Sequence, residues 1–218
     1  SRKLKIIREE YWRPVTICHG QDRPDITEEW LDAADARFLE DAEMFHKVTQ
    51  TVKDTVAMRW FPHLIFEGAQ GLRLDQYSED FPHVTRSSTG LENVATLTKS
   101  FDEIPDVYYL TRSYLTRHGF GPLENEMENP GVEDSTNVTN QYQDHLRFAP
   151  LDYERMAADV AKDKKFLPNC NFHAVITWMD FNARSDMVAN IMNAVGTCNT
   201  IYSWGADRCD LDVRGEKR

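Results

Sequence analysis

The chain has 218 residues, 41% hydrophobic and 28% charged, a mixture that supports a folded core and excludes the low-hydrophobicity composition of disorder. Its 36 acidic against 25 basic residues give a formal charge of -11, which repels polyanions and argues against duplex nucleic acid as a partner, although a few donors can still hold one mononucleotide phosphate. No apolar run approaches the ~20 residues a spanning helix needs. The start SRKLK is not followed by an apolar signal core, and Cys18, Cys170, Cys198 and Cys209 form no CxxC pair, so the expectation is a reduced cytoplasmic protein, off the membrane, with no metal ligands of its own.

Residues 1–61 read as a helical segment. From Asp25, DITEEWLDAADARFLEDAEMFHKVTQTVKDTVAMRW supplies Thr27 as an N-cap, glutamates in the first turn and apolar residues at three- and four-residue spacing, which predicts a long scaffold helix. Residues 62–218 read as an α/β nucleotide-binding region, the two parts forming one domain. Leu64-Ile65-Phe66 predicts a buried strand running into the turn Glu67 to Gly71. Val107 to Leu110 predicts a second strand, delivering polar residues through Arg117 to the loop at His118-Gly119-Phe120-Gly121-Pro122. The acidic, amide-rich stretch from Leu123 to Leu146 predicts a long loop. A helix from Asp152 to Lys165, a strand from Asn171 to Trp178, a helix from Ser185 to Ala194 and a strand from Thr200 to Ser203 complete the chain. This alternation predicts a mostly parallel sheet flanked by helices, which places ligands at the carboxyl ends of its strands.

The turns carry a resemblance. FEGAQG at Phe66 to Gly71, Leu74-Asp75, FPHVTRSST at Phe81 to Thr89, TRHGFGP at Thr116 to Pro122 with Glu126 beyond it, Met179-Asp180 and YSWGADR at Tyr202 to Arg208 occur in order. Together they resemble the FEGAQG, LLD, YPxVTSSNT, TRVGxGPFPTE, TKLD and STGPDR segments of the adenylosuccinate synthetase family. The resemblance implies a P-loop-NTPase-like fold of that family lacking its amino-terminal portion. It also implies a ligase that joins L-aspartate to the 6-position of a purine mononucleotide, with ATP or GTP as co-substrate, Mg²⁺ as cofactor and a homodimeric assembly. By position, Gly68, Gln70, Gly71, Thr85, Ser87, Arg117, His118 and Arg147 inherit substrate contacts, and Asp180, Ser203 and Gly205 border the base of the triphosphate. Gln70 matches a glutamine that contacts the purine nucleotide, and Thr85 a threonine that contacts phosphate.

The departures shape the expectation. The family's arginine-rich TTGRRRRTGW is replaced by the amide-rich stretch Ser135 to Asp152, whose one cation is Arg147. That version is similar to the short archaeal and bacteriophage branch, in which some phage relatives join aspartate to dGMP; dGMP therefore stands slightly ahead of IMP. Trp178 replaces the TKLD lysine, which leaves adenine and guanine both open. His118 replaces a valine near the ribose and is either a probe of the sugar or a structural histidine. Arg86 is either a phosphate contact or a surface arginine, and Arg147 either grips a carboxylate or phosphate or forms a salt bridge with a neighbouring acid. No GDEGKGK loop occurs, so the catalytic residues and Mg²⁺ ligands are expected outside these residues, in a longer polypeptide of which this is a fragment or, less favoured, in a second chain. The competing reading is a non-catalytic nucleotide- or partner-binding protein derived from the ligase fold.

Overall fold

The structure is a computed structural model that describes residues 2–12, 27–50, 52–53, 56, 60–101, 103–132, 137, 139, 144–181 and 184–214. It contains two compact units, Ser1–Pro62 and His63–Arg218.

In the first unit, helix α1 (Arg2–Ile6) runs into a π-helical turn, Ile7–Trp12, and α2 spans Glu28–Val48. Thr27 caps α2 as its residue type predicts, its side chain accepting from Trp30 N at 3.1 Å. Glu28 and Glu29 in the first turn and His46 and Lys47 in the last complement the helix dipole. Arg8 ties the two helical pieces together, lying 2.8 Å from Asp32 and 3.5 Å from Asp35.

The second unit is built on a four-stranded sheet in the order β1-β4-β5-β6. Strands β1 (Asp106–Arg112), β4 (Asn171–Thr177) and β5 (Thr200–Ser203) are parallel, and β6 (Leu211–Arg214) closes one side antiparallel to β5. Helices α3 (Leu91–Leu97), α4 (Tyr153–Asp163) and α5 (Ser185–Val195) accompany the sheet. The mostly parallel α/β sheet expected from the alternation of elements is therefore present. Central strand β4 contributes the buried Ala174 and Ile176, which pack with Met187, Ile191 and Val195 of α5 and Tyr202 of β5. Asp152 caps α4 by accepting from Arg155 N at 3.0 Å. Beyond α4, Lys164 donates Nζ to Val195 O at the carboxyl end of α5 and lies 4.0 Å from the Phe172 ring centroid.

Asp163 joins three elements. Its carboxylate accepts from Leu91 N at 2.7 Å, at the start of α3, and from the Tyr109 hydroxyl on β1 at 2.8 Å. A Cβ at Gly90 would collide with it, lying 2.7 Å from Asp163 Cγ.

Three expectations are corrected. Leu64-Ile65-Phe66 forms no strand: the segment is extended and unpaired, with Ile65 91% exposed. Three apolar residues caught between Pro62 and Gly68 offer too few ladder bonds to hold a strand in place. Conversely, residues read as loop form an antiparallel ribbon, β2 (Leu115–His118) with β3 (Leu146–Ala149). Strand β6 was likewise unexpected, since four residues give little periodicity to read. The stretch from Leu123 to Val132 is irregular apart from a bridge between Met127 and Phe148; 133–136, 138 and 140–143 lie outside the described residues.

Candidate nucleotide site

The FEGAQG turn leads into a short 3-10 turn, Leu72–Leu74, which folds against the VT segment. Thr85 N donates to Leu74 O at 2.8 Å and Gln76 N to Ser87 O at 3.1 Å, so Gln70 and Gly71 lie a few residues from the hydroxyls of Thr85 and Ser87, themselves 3.5 Å apart. Asp75 fixes the return of the chain by accepting from Thr89 N at 2.8 Å, and Ser88 donates to Glu92 at 2.6 Å. Gln70 is exposed. A Cβ at Gly68 would lie 2.9 Å from Thr89 O, whereas Gly71 faces open space.

The ribbon β2–β3 adds the guanidiniums. Arg117 donates Nη2 to His83 O at 2.6 Å and Nε to Phe120 O at 3.0 Å, and its Nη1 lies 3.8 Å from Asp80 Oδ2. Asp80 in turn accepts from Arg155 Nη2 at 2.6 Å. Both the Arg117 and Asp80 side chains are buried, at 9% and 5% exposure. Burial, then the charges of Arg147, Arg73 and Arg155, push Arg117 below the ordinary arginine value against the pull of Asp80. Arg147 stands directly across the ribbon from Arg117, a like-charged pair that is tolerated because each has its own partners. It grips Glu126 through two bonds of 2.8 and 2.5 Å, and its Nη1 donates to Gly119 O and Gly121 O. Those bonds hold Glu126 below the usual carboxylate range. Arg147 thus shapes the 119–126 loop from within. His118 is paired with Leu146, and its Nε2 is buried without a hydrogen-bond partner.

Gly121 is the hinge of that loop. Its φ of +116° suits glycine, and a Cβ there would lie 2.7 Å from both the Arg117 Cζ and the His83 Cβ. Gly121→Ala is expected to push Arg117 off His83 and to raise the protease sensitivity of residues 119–126; limited proteolysis at matched concentration checks this, and an unchanged digestion rate would count against the hinge.

Asp180, Ser203 and Gly205 meet on a separate rim at the carboxyl ends of β4 and β5. Met179 N donates to Ser203 O at 3.1 Å, and Ser203 Oγ to Gly205 O at 2.9 Å, while Asp180 is exposed. Trp178 adopts a left-handed backbone, φ 61°, held by Ser113 Oγ on its carbonyl at 3.0 Å. A non-glycine residue in that region is uncommon and marks a position the surroundings over-determine. Tyr114 joins rim to ribbon: its ring centroid lies 5.9 Å from Trp178, 5.5 Å from Phe181 and 5.9 Å from Phe148 on β3. The Arg112 guanidinium sits 5.4 Å from the Trp178 ring.

Among the described residues, the one group within ligating distance, Asp207, Cys209 and Asp210, includes a soft thiol, whereas Mg²⁺ demands oxygen donors in near-octahedral geometry. Asp80, Arg73 and Arg155 were missed from sequence; Asp80 and Arg155 stand 75 positions apart and carry no local signal that they meet.

The sheet and its helices define an α/β protein of the open, mostly parallel type. Residues 13–153 match the family model described as adenylosuccinate synthetase, and the chain belongs to that family. It is 33% identical over 136 residues to the adenylosuccinate synthetase of Citrifermentans bemidjiense and 42% identical over 132 residues to that of a Geobacter species; each match covers 59% of this chain and 29% of the relative. Among solved structures, the fold is similar to cyanophage S-2L succinoaminodeoxyadenylate synthetase bound to dGMP and dATP, with a TM-score of 0.52 and 16% identity, over 77% of this chain and 52% of that one. The chain thus spans under a third of these curated relatives. Among the described residues no helix is long and apolar enough to cross a membrane.

Proposed function

We propose that the chain supplies nucleotide binding and orientation to a ligase that joins aspartate to the 6-position of a purine mononucleotide at the expense of a nucleoside triphosphate. The observation that carries this reading is the hydrogen bond from Arg117 to His83 O, which locks the TRHGFGP ribbon onto the loop bearing Thr85 and Ser87, next to the FEGAQG turn. Gln70, with a donor and an acceptor on one amide, suits a base edge or phosphate, while Gly68 and Gly71 bring backbone close to it. Thr85 and Ser87 bind phosphate oxygens, and Arg117 places them. His118 meets the sugar, and Arg147, once its grip on Glu126 is shared, meets the aspartate carboxylate or the phosphate. On the rim, Asp180 accepts from the triphosphate's base, bordered by Ser203 and Gly205.

The substrate pair favoured is dGMP with ATP. The amide-rich stretch before Asp152 and the likeness to a cyanophage enzyme solved with dGMP and dATP support it, as does Trp178, whose indole can cover adenine. IMP with GTP is the alternative pair. Mg²⁺ would relieve triphosphate charge when bound, through ligands expected outside these residues. A cytoplasmic homodimer completes the proposal. The second reading is a non-catalytic nucleotide- or partner-binding protein of ligase descent.

Calorimetric titration with dGMP, IMP, ATP and GTP tests the proposal. The expected result is saturable binding of dGMP in preference to IMP and of ATP in preference to GTP. Reversed preferences would replace the substrate pair, and binding of none of the four would remove the nucleotide reading altogether. Ligation assayed with the upstream reading frame included separates enzyme from binding protein.

A further inference from the structure

The helices that accompany the sheet stand on one side of it. Tyr109 of β1, Ala174 and Ile176 of β4 and Tyr202 of β5 pack with Met156 of α4 and Met187 and Ile191 of α5, and α3 starts on that side, where Asp163 joins Leu91 N to the Tyr109 hydroxyl. By the strand register, the opposite face carries Tyr108 and Leu110 of β1, His173 and Val175 of β4, Ile201 of β5 and Leu211 of β6. Leu110 is 70% exposed, Leu211 49% and Tyr108 47%.

That exposure conflicts with the sequence of the strands. A strand with one solvated face alternates apolar and polar residues, whereas Val107-Tyr108-Tyr109-Leu110 and Phe172 to Ile176 are nearly continuous apolar runs, the pattern of strands buried on both faces. Parallel sheets rarely keep one face bare, since their crossover connections place helices on both. His173 adds a polar demand to the same face. Its ring stacks on Tyr108 with centroids 4.6 Å apart, and its Nε2 is buried without a hydrogen-bond partner, 3.7 Å from the Asp106 carboxylate. Buried polar atoms are almost always bonded, so a cover that presents one polar group there would complete the face.

Length and charge point to the occupant. The matches span 29% of the curated relatives and 52% of the cyanophage enzyme, so a polypeptide of their length holds ample further chain. A formal charge of -11 on each copy opposes self-association through this face. We propose that the face of Tyr108, Leu110, Val175 and Ile201 is covered by an amphipathic helix of the same polypeptide, contributed from outside these residues, with a polar side chain set against His173. The inference rests on the fragment reading above and assigns the surface on which the fragment meets the remainder of its chain.

Hydroxyl-radical footprinting of Tyr108 and Leu110 tests it, on the 218-residue chain and on the polypeptide encoded by the complete reading frame. Both residues are expected to be labelled in the shorter protein and to lose label about 5-fold in the complete one, as their exposure drops toward that of core residues. Leu110→Lys is expected to keep the melting temperature of the shorter protein within about 2 °C of its parent and to lower that of the complete polypeptide by about 4 °C or more, because only there does the lysine meet an apolar cover. If the complete Leu110→Lys polypeptide does not fold, the parent footprints alone decide. Equal labelling in the two proteins overturns the proposal, as does a reading frame that adds no segment long enough for a helix. Protection of the shorter protein that grows with its concentration, together with a dimer on sedimentation, overturns it in favour of a second copy, and protection already present in its monomer overturns it outright. None of these readouts involves a nucleotide, so their failure leaves the ligase reading to its own titrations, and loss of all nucleotide binding leaves the cover standing.

Discussion

Arg117→Ala is expected to lower the melting temperature by about 6–12 °C, from a loss of about 3 kcal/mol. The magnitude follows from what the side chain touches. Two backbone carbonyls, His83 O and Phe120 O, lose their donor, and the buried Asp80 keeps Arg155 alone. Removing one partner of a buried pair costs about 3–5 kcal/mol when the survivor is stranded, and Arg155 reduces that. Arg117→Lys should recover less than half, because one ammonium cannot serve two carbonyls and a carboxylate lying in different directions. Nucleotide binding should fall in both variants, since Thr85 and Ser87 lose the anchor at His83. A melting point within about 2 °C of the parent protein would show that the ribbon is held by other means.

Asp163→Ala should be comparably damaging, at about 3 kcal/mol, because it orphans the Leu91 amide and the Tyr109 hydroxyl together. Tyr109 is itself pushed up by burial and by the neighbouring Asp163 charge, which marks how closely the two are held. The pH dependence has a definite sign. Burial raises the Asp163 carboxyl above its ordinary value despite the two bonds it accepts, so the folded protein favours the protonated form. Its contribution to stability is therefore complete below the unfolded value of about 4 and is lost as pH rises through the folded value. Asp163→Asn does not titrate. The stability gap between parent and Asn variant, followed by chemical denaturation from pH 4 to 7, should change in the parent's disfavour as pH rises; a gap constant over that range would contradict the assignment.

Elements with strong local signals are legible in the sequence. Thr27 and Asp152 stand where helix caps are needed, and both accept the amide three residues on. The alternation from Asp152 to Ser203 carries the parallel sheet, since each burst of β-branched and aromatic residues is followed by an amphipathic run. The turns that identify the family were readable as strings. How they meet was not. Nothing in HGFGP announces that Gly121 lies over Arg117, and nothing around Asp80 announces Arg155. Such pairs are made by tertiary geometry, which one sequence does not encode locally. The error at Leu64 to Phe66 has the same root, since a strand is a relation between two segments and apolar character in one of them cannot supply the other.

Lys164 makes the covalent chemistry of this surface uneven. Its nitrogen is occupied by Val195 O and shielded by the Phe172 ring, and burial lowers its basicity, whereas Lys162 and Lys165 beside it are exposed. Acetyl donors and amine-reactive labels should therefore mark its two neighbours first, and any label that does reach Lys164 would pry the end of α5 away from β4.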